Sequence, residues 1–65
     1  MQLTINGELH EVRATTVLEL LQEFGLPPAG TVVERNLEIV DPGAYSATIL
    51  AAGDVLELVR MVGGG

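Results

Sequence analysis

The sequence contains no cysteine, no lysine and no tryptophan, and has one histidine, one phenylalanine and one tyrosine among its 65 residues. Without cysteine there can be no disulfide, no thiolate metal site and no thiol nucleophile. His10 therefore has no companion ligand of its own kind, so no metal site is expected. No nucleophile stands beside His10 for it to activate, and a structural or surface role is expected of it. Without lysine, the amino terminus is the one amine in the chain that could attack an activated carboxyl group. Basic residues are limited to Arg13, Arg35 and Arg60 against nine acidic residues, a formal net charge of −6. Such a surface repels phosphates, so nucleic acid is not an expected partner. It favours instead a protein with a basic face, whose encounter it would accelerate. No apolar run approaches the roughly 18 residues of a membrane span, and no charged-then-apolar leader opens the chain, so the expectation is a cytoplasmic protein without membrane association.

What is present is an apolar fraction of 48%, suited to a compact fold rather than a disordered segment. A chain of this length makes one small domain that buries only about 60% of its unfolded surface. A deep catalytic pocket would be carved from an already thin core, which argues against an enzyme.

Residues 1–5 alternate, with Leu3 and Ile5 on one face and Gln2 and Thr4 on the other, and predict a strand. Asn6-Gly7 supplies a tight hairpin turn, because both central positions of a type I′ turn need positive φ. A second strand follows over residues 8–13. Thr16 and Glu19 have the spacing of a capping box, in which Thr16 accepts from the Glu19 N–H and the Glu19 side chain reaches back to Thr16. The helix begun there carries Val17, Leu20, Leu21 and Phe24 on one stripe. Gly25 ends it and Pro27-Pro28 prevents its resumption. Residues 31–35 read as a third strand, whose adjacent valines leave the inward phase open. Asn36 supplies a turn, and residues 38–40 make a short fourth strand. Asp41-Pro42-Gly43 predicts a turn or one-turn helix with Asp41 as its cap. Tyr45 and Ile49 are expected to fold the next link onto the core, with the tyrosine hydroxyl in water.

The organising stretch is the last one. Residues 54–61 read as a fifth strand after the Ala52-Gly53-Asp54 turn, with Leu56 and Leu58 facing the core. Val55, Glu57, Val59 and Met61 share the outer face. Three apolar side chains there exceed what a wet surface needs and predict a docking patch. Beyond the strand stand Val62, Gly63, Gly64 and Gly65. Four extended residues reach roughly 13 Å, and a backbone without Cβ atoms passes through channels closed to side chains. The expectation is a folded unit over residues 1–62 followed by a flexible tail at 63–65 that works inside a partner's active site.

One helix cannot cover both faces of a sheet, so the order ββαβββ predicts an α+β fold in which a mixed sheet wraps one side of the helix, a β-grasp or ubiquitin-like roll. Leu3-Thr4-Ile5-Asn6-Gly7, Val17-Leu18-Glu19-Leu20-Leu21, Glu34-Arg35-Asn36 before Ile39-Val40, and the ending from Gly53 through Gly65 resemble the ThiS family of sulfur carriers in thiamine biosynthesis. Leu37 departs from the family pattern at a turn position where glycine is common, and Met61 stands where an aromatic is common. The resemblance implies a protein substrate rather than a catalyst. It implies that an E1-like adenylating enzyme of the ThiF type uses ATP and magnesium to adenylate Gly65, this chain itself binding no cofactor. Sulfur from a donor such as a cysteine desulfurase then gives a C-terminal thiocarboxylate, which a thiazole synthase of the ThiG type consumes. By the same resemblance Val62, Gly63 and Gly64 enter both partners, while Val55, Glu57, Val59 and Met61 help dock them. Carriers of the molybdopterin synthase small-subunit or tRNA-thiolation kind keep the same tail, and a ubiquitin-like interaction module would bind through its sheet with an inert terminus.

Overall fold

The computed structural model describes residues 1–61. Its elements are β1 (Gln2–Ile5), β2 (Glu8–Glu11), α1 (Val17–Glu23), β3 (Thr31–Arg35), β4 (Glu38–Ile39), a 3₁₀ turn (Pro42–Ala44) and β5 (Val55–Arg60). The five strands form one sheet in the order β2-β1-β5-β3-β4. β1 and β5 are parallel neighbours, and the other pairs are antiparallel. It follows that β3 runs parallel to β2, as a helical crossover between them requires, with β1 and β5 filling the space between. This is the α+β, β-grasp arrangement expected from the pattern.

Local chemistry places each element. Asn6 and Gly7 both have positive φ (50° and 83°), which closes the β1–β2 hairpin. Thr16 caps α1 by accepting from the Glu19 N–H at 3.1 Å. The reciprocal half of the expected box is displaced by one residue. The Glu19 carboxylate accepts from the Thr15 N–H and the Thr15 hydroxyl, both at 2.8 Å, rather than from Thr16. Those donors hold its pKa below the ordinary glutamate value, the Thr15 N–H contributing most. Glu23 at the other end of α1 accepts from the Arg13 and Ala14 N–H groups, which ties the preceding link to the helix. Gly25 takes φ +68° and ends it.

Val17, Leu20 and Leu21 of the helical stripe are fully buried against Leu3, Ile5, Val33 and Leu56 of the sheet. Phe24 packs at the edge of that core and meets His10 edge-to-face, with ring centroids 5.2 Å apart. β3 resolves its phase by turning Val33 inward and Val32 outward.

The link between β4 and β5 corrects three expectations. Ile49 is exposed and Leu50 takes the core position, because the bridge between Thr16 and Ile49 fixes which side chain turns inward. The Tyr45 hydroxyl is not wet: it is buried and donates to the Thr31 carbonyl at 2.6 Å. Asp41 makes no side-chain cap, and its backbone carbonyl accepts from the Ala44 N–H instead. No helix among the described residues is long and apolar enough to cross a membrane.

Candidate docking face and tail exit

β5 is the central strand and positions everything of interest. On one side, Ile5 pairs with Leu56, and on the other Val32 pairs with Val59 and Glu34 with Glu57. Leu56 and Leu58 point into the core, so Val55, Glu57 and Val59 lie on the face that α1 leaves open. Val55 and Val59 are 48% and 52% exposed, and Met61 just beyond them is 62% exposed. The structure thus places Val55, Glu57 and Val59 on one open face, with Met61 exposed just past the end of the strand. Val62, Gly63, Gly64 and Gly65, expected to carry the chemistry, lie outside the described residues.

The frame around β5 is held by hydrogen bonds from both flanking turns. The Asn6 side chain bonds both backbone groups of Leu58, and the Asn36 Oδ1 accepts from the Val55 N–H at 2.9 Å. At the start of the strand the buried Asp54 carboxylate accepts from Arg35 Nε at 2.8 Å, Asn36 Nδ2 at 3.0 Å and the Ala51 N–H at 2.9 Å. Burial alone would raise the Asp54 pKa. The Ala51 N–H, Asn36 and Arg35 together outweigh it and hold the carboxyl below the usual aspartate value. At the far end the Met61 N–H donates to the Gly30 carbonyl at 2.7 Å, the last described anchor of the chain.

Alternation along β5 alone did not reveal the full extent of this face. Val32, Leu37 and Ile39 add three exposed apolar side chains from β3, the β3–β4 turn and β4. Ile39 shares the face of Glu34, its cross-strand partner. The signal available beforehand was Leu37 itself, an apolar residue at a turn position.

The ThiS family model matches residues 3–65. The chain belongs to the ThiS family. Among ThiS relatives, the sulfur carrier protein ThiS of Bacillus subtilis is 40% identical over 50 residues, covering 77% of this chain and 76% of that protein. The crystal structure of the thiamine biosynthesis protein ThiS from Geobacter metallireducens is 35% identical, covers both chains in full and superposes with a TM-score of 0.83. A 42% identical match over 66 residues is found in the thiazole synthase of Magnetococcus marinus, covering all of this chain and 20% of that protein. The thiazole synthase of Paramagnetospirillum magneticum matches at 44% with the same coverage. The chain therefore spans about a fifth of the length of these two thiazole synthases.

Proposed function

We propose that this ThiS-family chain carries sulfur at the carboxyl group of Gly65 for thiazole formation in thiamine biosynthesis. A carboxylate resists nucleophiles, so it must first be activated. An E1-like adenylating enzyme of the ThiF type, using ATP and magnesium, forms an acyl adenylate at Gly65 and releases pyrophosphate. The outer sulfur of a persulfide that a desulfurase forms from cysteine attacks the acyl adenylate and displaces AMP, a good leaving group. A second thiol such as free cysteine then reduces the resulting acyl disulfide, releasing the thiocarboxylate and a disulfide. Thiazole synthase then takes the sulfur. In this reading the β-grasp unit of residues 1–62 is a grip, residues 63–65 are the part that enters other active sites, and the chain performs no catalysis itself.

The observation that carries the reading is the family match, which runs through the terminal glycines to residue 65. The outer face of β5 supports it, since Val55, Val59 and Met61 are exposed on the segment that immediately precedes residues 62–65 in the sequence. The presence of a homologous segment within proteins named thiazole synthase supports that enzyme as a partner. Val55, Glu57, Val59 and Met61 are the proposed contacts.

Intact-mass analysis after incubation with ATP, magnesium, the cognate adenylating enzyme and a desulfurase with cysteine tests the proposal. One oxygen-for-sulfur exchange, confined to Gly65 by fragmentation, is expected. A mass unchanged when the cognate adenylating enzyme and the desulfurase are each shown to be folded and able to bind their nucleotide and cysteine would overturn it.

A further inference from the structure

Between the β3–β4 turn and β5 the outer face holds a groove of about 430 Å³ lined by Glu34, Asn36, Leu37, Val55 and Glu57. Two of its features run against the stability of the isolated fold. Glu34 and Glu57 stand directly opposite each other across the β3–β5 ladder, where like charges repel. Among the described residues neither carboxylate has an ion-pair or hydrogen-bond partner. At the rim, Leu37 holds φ +72° and is 89% exposed, so it bears left-handed backbone strain with no packing in return. Strain of this kind gathers where a surface is shaped for a ligand.

We propose that this groove seats an arginine side chain of thiazole synthase, the carrier's partner in the reading above. The occupant is argued from complementarity. The guanidinium is the group whose planar fork matches carboxylate oxygens, and it is less strongly hydrated than an ammonium. Its aliphatic stem would lie along Leu37 and Val55, burying apolar surface that is now wet. Bound there, one positive charge relieves the Glu34–Glu57 repulsion and Leu37 gains the contacts it lacks. The chain's net charge of −6 adds long-range attraction to a basic docking surface. Leu37, Glu34 and the groove thereby join the outer row of β5 as determinants of partner choice.

The test separates binding from folding, because the relevant substitutions stabilise the free chain. Leu37→Gly relieves the backbone strain, and Glu34→Gln with Glu57→Gln removes the repulsion. Both variants are expected to melt at a higher temperature than the wild type. Both are also expected to bind thiazole synthase of the same organism about tenfold more weakly by calorimetric titration, the loss typical of a central contact. Wild-type affinity should fall on raising NaCl, and that of the double glutamine variant should fall less steeply. Wild-type affinity in either variant, or no binding by the wild-type chain, overturns the inference. Thiocarboxylate formation at Gly65 is measured in parallel. If it proceeds while the groove variants bind normally, the groove proposal alone falls. If it fails while those variants weaken binding, the sulfur chemistry falls and the groove stands.

Discussion

Asn6 and Leu58, 52 positions apart, are joined by two hydrogen bonds: the Asn6 Oδ1 accepts from the Leu58 N–H at 2.8 Å and its Nδ2 donates to the Leu58 carbonyl at 3.2 Å. The side chain of a hairpin turn thus continues the β1–β5 ladder one step beyond the backbone bond from the Asn6 N–H to the Leu56 carbonyl. Asn6→Ala leaves both Leu58 groups unpaired and places a Cβ without local hydrogen bonding at φ +50°. A loss of about 2 kcal/mol is expected. Urea denaturation should show a lower midpoint with an unchanged slope, and the Leu58 amide should exchange faster with solvent. An unchanged midpoint would mean that the bond contributes nothing to the fold.

Leu37→Gly should act in the opposite direction. The leucine is almost wholly in water, so its removal forfeits little packing. Relief of its left-handed strain outweighs the added freedom of glycine in the unfolded chain by about 0.5 kcal/mol. Thermal unfolding should show a small rise in midpoint, and a fall would contradict the strain assigned to this turn.

Asp54 predicts how stability depends on pH. Its pKa in the folded chain lies below the unfolded value of about 3.9, so its contribution is complete above that value and is lost as pH falls through the folded pKa. Asp54→Asn should cost about 1–2 kcal/mol at neutral pH by weakening the bonds to Arg35 and Ala51. The gap between wild type and variant should close below about pH 4. A gap of constant size down to pH 2 would show that the carboxylate charge is not what holds the Arg35–Asp54 pair.

Gly64 tests the tail. Under the proposed function, Gly64→Ile should leave the melting temperature within experimental scatter yet abolish ATP-dependent adenylation of Gly65, since the added side chain would obstruct a passage sized for bare backbone. Adenylation at the wild-type rate would remove the argument for a narrow channel in the activating enzyme.

Much of the architecture was legible because local signals agreed with one another. Asn6-Gly7, the Thr16 cap, the Val17–Phe24 stripe and Gly25 each specify one conformation, and all are seen. What escaped was decided by contacts between distant residues. The inward phase of β3 depends on pairing with β5, since Val32 and Val33 are equally apolar. The choice of Leu50 over Ile49 depends on the bridge to Thr16, and the burial of the Tyr45 hydroxyl depends on the Thr31 carbonyl lying within reach. The outer face was half visible: alternation in β5 predicted Val55, Glu57, Val59 and Met61 there, and Val55, Val59 and Met61 are exposed. Val32, Leu37 and Ile39 belong to it only because β3 and β4 fold alongside.

The placement of β5 between a parallel and an antiparallel neighbour acquires a mechanical meaning under the proposal that other proteins work on the end of this chain. Force applied at Met61 runs along the strand axis, while the ladder bonds on both sides lie across it. A tug therefore loads these bonds in shear, all together, instead of peeling them open one after another as it would at a hairpin's free edge. Under the same proposal, an enzyme that seats the terminus and later releases it would pull against this shear-loaded ladder while the domain keeps its shape.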